Sequence, residues 1–155
     1  MTPYNNTQFG SPRVQEDLVF HVTVGTSLLN FDAGKDVALD ERLAIWREYN
    51  AKRGLTGALL VSGDGIALIL EGPASAVMKV RKKIDANPLH GRIQLLFTGL
   101  CEKRRFGGWP LAYVGPSRWV QNTLATRPLA EMTAESGKDA EFLIDLILFL
   151  VGEGA

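Results

Sequence analysis

Cysteine is almost absent from this chain: Cys101 stands alone, so no internal disulfide framework is available and a reducing compartment is the natural setting. Histidine is nearly as scarce. His21 and His90, with one thiol, are too few ligands for a zinc site of the usual kind. Net charge is missing too. Lys+Arg and Asp+Glu number 17 each, so no global field draws the protein toward nucleic acid or an acidic membrane. The longest apolar run, Phe142 to Gly152, falls short of the ~20 residues that a bilayer span requires. Met1 to Glu16 are rich in Asn, Thr, Pro, Ser and Gln and lack the apolar middle of a signal peptide. They read as a flexible leader, and the cytoplasm is the expected location. Repeats, low-complexity tracts, Gly-rich phosphate loops, nucleophile elbows and paired metal motifs are all lacking. No acid–base or nucleophile set converges, so the sequence does not read as an enzyme.

What is present is an ordinary soluble composition, 46% hydrophobic and 22% charged over 155 residues, enough for one domain with a genuine core. The chain is organised around Gly54 to Pro73. Ala58 to Val61 and Ile66 to Leu70 are apolar runs separated by Ser62-Gly63-Asp64-Gly65, a hairpin turn composition. Neither run alternates with polar residues, which places both in the middle of a sheet. Gly54 suits a helix end and Pro73 a helix start.

Leu18 to Val24 is rich in β-branched and aromatic residues and reads as the first strand, with His21 and Thr23 on one face and Phe20, Val22 and Val24 on the other. A loop with Asn30, Asp32 and Gly34 leads to a helix at about Ala38 to Arg53. Its stripe is Leu39, Leu43, Trp46 and then Asn50. A buried amide without a partner costs about 1–3 kcal/mol. Asn50 must therefore bond either a local backbone carbonyl or helix end, or a ligand edge. A second helix over Pro73 to Ala86 has Ala76, Val77, Val80 and Ile84 as its stripe and Arg81, Lys82 and Lys83 in its last turns. Glu71 just before it reads as a carboxylate suited to that helix's dipole. A fourth strand follows at Ile93 to Leu100, then the basic turn Lys103-Arg104-Arg105, then a last strand around Trp109 to Val114. The basic turn, even with Lys79 and Arg81 to Lys83, reads as solvated surface rather than a nucleic-acid contact.

Strand, helix, strand, strand, helix, strand, strand is the order of a ferredoxin-like α+β sandwich: a mixed five-stranded sheet with two helices on one face. Gly115 to Pro128 carries loop signals. A helix at about Lys138 to Val151 is apolar almost all round, so it belongs on the other face of the sheet or at an interface. The chain divides into the leader (1–16), the sandwich (17–115) and a helical extension (116–155).

Asn50-x-x-x-Gly54-Leu55-Thr56-Gly57-x-Leu59-Leu60, Leu70-Glu71-Gly72-Pro73, His90 and Arg105-Phe106-x-x-Trp109 together resemble the BLUF domain, over about residues 17 to 115. BLUF domains are ferredoxin-like blue-light sensors that hold FAD between the two helices. The resemblance implies a Tyr on the first strand bonded to a Gln on the third, the Gln bonding the flavin, and light driving electron and proton transfer from the Tyr. Here the Tyr position is Thr23 and the Gln position is Leu68. An aliphatic alcohol is a far poorer one-electron donor than a phenol, and leucine offers no hydrogen bond. Asn50 and Trp109 match flavin-neighbouring positions. Tyr49, Leu89 and Asn87 replace polar or charged residues of the family.

The resemblance thus implies flavin-pocket positions at Thr23, Trp46, Asn50, Leu68, His90 and Trp109. A slot lined by Val22 or Val24, Trp46, Val77 and Ile84 either accepts a ring or closes on itself. Loss of charge-assisted contacts, about 1.5–3 kcal/mol each, weighs against retained FAD. Two readings follow. One is a regulatory domain without the light switch, acting on a protein partner or as a homo-oligomer. The other is an FAD-binding sensor of light or redox state with altered chemistry.

Overall fold

The computed structural model describes residues 16–29 and 37–152. The leader up to residue 15 and the loop residues Asn30, Asp32 and Gly34 lie outside the described residues. The elements are β1 (Leu18–Ser27), α1 (Val37–Lys52), β2 (Thr56–Ser62), β3 (Gly65–Pro73), α2 (Ala74–Ala86), β4 (His90–Leu100), β5 (Ala112–Val114), α3 (Arg118–Leu124), a 3-10 turn (Leu129–Glu131) and α4 (Lys138–Gly152). Five strands form one sheet in the order β4-β1-β3-β2-β5. All neighbours are antiparallel except β2 and β5, which run parallel. This is the expected α+β sandwich, with β3 at its centre because its apolar run can be buried on both sides.

The β2–β3 hairpin turns where Gly63 takes a positive φ of 61°, and its glycines are also spacers. A Cβ at Gly57 would lie 1.9 Å from the Ile69 carbonyl oxygen, so the two strands approach closely only because no side chain stands there. α1 ends in the backbone bond from Leu55 N to Asn50 O, with Gly54 at φ 71°. The carboxylate at the start of α2 is Glu16, not Glu71: it accepts from Ser75 N at 2.9 Å and Ser75 Oγ at 2.7 Å. Those bonds hold the Glu16 carboxyl below its ordinary pKa.

The two faces of the sheet are covered differently. Phe20, Val22 and Val24 of β1, Ala58 and Leu60 of β2, and Ala67 and Ile69 of β3 form one continuous core with Leu143, Ile144 and Ile147 of α4. Leu96 joins this core from a bulge in β4, where Val22 pairs with Phe97 but Thr23 with Leu95. On the opposite face α1 brings Leu39 and Leu43 against Leu59, Val61, Ile66 and Leu111. α2 separately brings Ala76 and Val77 against Leu55 and Leu70.

Three readings need correction. Gly115 to Pro128 is not all loop: Val120 and Leu124, one turn apart, are buried in α3, whose N-cap Ser117 accepts from Val120 N at 3.1 Å. α4 is not buried all round, since Phe149 is 62% exposed and stacks on Trp119, itself 50% exposed. The basic turn is not simply solvated. Arg104 donates to Thr56 Oγ1 at 2.9 Å and Gly54 O at 2.8 Å. Beside it the fully buried Glu71 carboxylate accepts from Thr56 Oγ1 at 2.7 Å, Arg105 N at 2.6 Å and Phe106 N at 3.1 Å. Glu71 therefore pins the β4–β5 connection to the sheet; it does not serve a helix dipole.

Candidate functional site

The division of α1 and α2 into separate clusters leaves a cavity of about 380 Å³ between them, over the sheet. That is within the ordinary range for small-molecule pockets, roughly 300–1,000 Å³. Strand alternation builds its floor: Ile66, Leu68 and Leu70 of β3 stand on one side of the sheet, next to Thr23 of β1 and Leu59 of β2, while Val24, whose side chain belongs to the core under α4, borders it at the edge. α1 supplies Ile45, Trp46, Tyr49 and Asn50, and α2 supplies Val80, Lys83 and Ile84. Asn87, His90, Ile93, Leu29 and Leu111 complete the wall, which among the described residues contains no acidic one.

Five of the six positions singled out from sequence meet here: Thr23, Trp46, Asn50, Leu68 and His90. Thr23 and Leu68 are directly opposed partners of the β1–β3 ladder. Trp109 stands apart, half-buried and packed against the core under α4. Val22 and Val77 also stand outside the slot expected of them, Val22 on the α4 face and Val77 fully buried beside Leu55 and Leu70. Val24, Trp46 and Ile84 do line it. Ile66 and Leu70 were missed, though counting alternate residues from Leu68 finds both. Leu59, Ile93 and Leu111 come from other strands and loops, and their arrival depends on strand order.

Asn50 takes the backbone option, donating through Nδ2 to Pro110 O at 2.8 Å. Arg47 Nε donates to Leu111 O, also at 2.8 Å, so α1 grips the chain entering β5. Asn87 Oδ1 accepts from Leu89 N at 2.9 Å. His90 Nδ1 lies 3.0 Å from Ser27 Oγ, which also accepts from Leu29 N at 3.1 Å. Burial lowers the His90 pKa. Tyr49 carries two cations close to its ring, the Arg53 guanidinium 3.6 Å and the Lys83 ammonium 4.2 Å from the centroid.

On the same side of β1, buried His21 has Nδ1 3.2 Å from Thr98 Oγ1 and Nε2 3.3 Å from Arg81 Nη1. A guanidinium only donates, so Nε2 is the acceptor and Nδ1 carries the proton. Burial, then the Arg81 charge, lowers the His21 pKa. Among the described residues no His, Cys, Asp or Glu group could hold a metal ion, and no helix is long and apolar enough to cross a membrane.

The BLUF family model, described as "Sensors of blue-light using FAD", matches residues 27–112 of this chain. The chain belongs to the BLUF family. Among solved structures, the BLUF protein BlrB in its dark state is 25% identical, with 85% of this chain and 96% of that chain covered and a TM-score of 0.68. The photo-activated state of BlsA is 20% identical, covering 84% of this chain and 94% of that one, with a TM-score of 0.65. A bacterial light-regulated adenylyl cyclase is 21% identical over 70% of this chain but only 33% of its own, with a TM-score of 0.58. The last two likenesses speak for the fold alone. No curated protein matches.

The cavity answers to the BLUF flavin in part. Its size and apolar walls suit a flat aromatic ring system. The ring's polar edge, however, asks for several hydrogen-bonding groups. Leu68 has none, the Asn50 Nδ2 and Asn87 Oδ1 atoms already have backbone partners, and the His90 Nδ1 has Ser27. What remains on the wall for such an edge is Asn50 Oδ1, Asn87 Nδ2, His90 Nε2 and the Thr23 hydroxyl.

Proposed function

We propose that this BLUF domain has lost the light-driven Tyr–Gln switch and works as a regulatory interaction module. The observation that carries the reading is the Thr23–Leu68 pair: a small alcohol and a hydrocarbon face each other across β1 and β3 on the cavity floor. Neither side chain can pass an electron and a proton to a ring or rearrange hydrogen bonds around it. Its output is contact with a protein partner or a second copy of the chain in the cytoplasm. The exposed Trp119–Phe149 stack on α3 and α4 is the surface suited to that contact. No catalysis, nucleic acid or membrane is part of this reading.

An absorbance spectrum of the purified protein tests it. Colourless protein that gains no flavin bands on adding FAD is expected; flavin-containing protein whose spectrum shifts under blue light overturns it. A second reading, favoured by the size of the cavity, is an FAD-binding sensor with altered chemistry. Yellow protein with no spectral shift under blue light would select that reading. In that case Thr23→Tyr with Leu68→Gln should restore a light response, and failure to do so would show that these positions are not the switch.

A further inference from the structure

The cavity's chemistry is better matched to a different kind of ligand, and this argument rests on the reading that the flavin switch is gone. Hydrocarbon makes up most of the wall, from Leu59, Ile66, Leu68 and Leu70 on the sheet to Val80 and Ile84 on α2. One polar atom of each amide and of the imidazole bonds within the protein, Asn50 Nδ2 to Pro110 O, Asn87 Oδ1 to Leu89 N and His90 Nδ1 to Ser27 Oγ. A ligand body rich in polar atoms would find few partners among so many aliphatic side chains and would lose hydrogen bonds it made in water. A hydrocarbon body incurs no such cost.

The charges are one-sided. Lys83 belongs to the wall, and Arg53 shares the Tyr49 ring with it. Among the described residues neither cation is in an ion pair, because the helix pairs formed are Lys52–Glu48 and Arg81–Asp85. With no carboxylate among the described residues of the wall, the charge contributed at the Tyr49 end is positive.

We propose that the cavity binds a medium-chain aliphatic carboxylate, its tail over the Leu59–Leu68–Ile84 surface and its carboxylate at Lys83. About 380 Å³ holds roughly a dozen groups of water's size, about 30 Å³ each, which sets the tail near ten carbons.

Titration calorimetry on the full chain tests this with three probes: decanoate below its micelle concentration, decanol and FAD. Decanoate is expected to bind one to one. Lys83→Glu is expected to weaken decanoate about tenfold and leave decanol unchanged, with Lys82→Glu as the surface-charge control at less than about twofold. Ile84→Trp, which fills the cavity, should abolish binding of both. Should that variant fail to fold by circular dichroism, Leu59→Phe serves the same purpose. No binding of decanoate overturns the proposal, as does binding that neither Lys83→Glu nor the filled cavity alters. If FAD also fails to bind, only this inference falls. One-to-one binding of FAD in preference to decanoate overturns both this inference and the loss of the flavin on which it rests.

Discussion

The two faces of the sheet do different things with the same kind of residue. Under α4, leucine, isoleucine, valine and phenylalanine meet from the sheet and from the C-terminal elements in one uninterrupted core. Under α1 and α2 an equally apolar set is divided into two small clusters, with open space between them. The first face is filled; the second leaves a cavity. Apolar side chains alone do not tell a core from a pocket. The decisive difference is whether the elements above the sheet close over it together, as α3, the 3-10 turn and α4 do, or stand apart as a pair.

Truncations should separate the faces most sharply. Leu143→Ala, in the filled core, is expected to cost about 2–5 kcal/mol by urea unfolding. Leu68→Ala, on the cavity wall, should cost no more than half of that, since its side chain already borders empty space. Equal losses would show that the cavity closes in solution. Next in size is the cap of α3, an element of the filled side. Ser117→Ala removes the acceptor for Val120 N and should cost about 1 kcal/mol.

The smallest effect belongs to the open side. His21 and His90 both have folded-state pKa values below 6.5, so the unfolded chain binds protons first as the pH falls. Their contribution to stability is complete above about pH 6.5 and is lost as the pH drops through that value toward the lower folded-state pKa values. His21→Gln should flatten the difference in unfolding free energy by urea between pH 7.5 and 5.5 by less than about 1 kcal/mol. An unchanged difference would place the titration elsewhere.

Sequence periodicity and turn chemistry were enough for the sandwich, because β2, β3 and α4 are long apolar runs bounded by glycine, proline or polar residues. α3 was hidden by its length: seven residues give a helix little pattern, and Val120 and Leu124 are its only buried pair. Asn50 was legible as a buried amide needing a partner, but not that its partner is Pro110, sixty positions on. Glu71 was misread for a similar reason, since Thr56, Arg105 and Phe106 come together around it only after β4 and its following turn are in place. Trp109 defeated the sequence entirely, because the choice of face is made by that same turn.

The close approach at Gly57 has a bearing on how such chains are recognised at all. That glycine is required because the Ile69 carbonyl leaves no room for a side chain, and Glu71 is needed to fasten the turn after β4. Both belong to the motif that resembles the family, yet both serve assembly of the sheet and neither lines the cavity. A gene could shed its photochemistry and keep that signature intact, so the motif certifies a scaffold and leaves its employment to be read from Thr23 and Leu68.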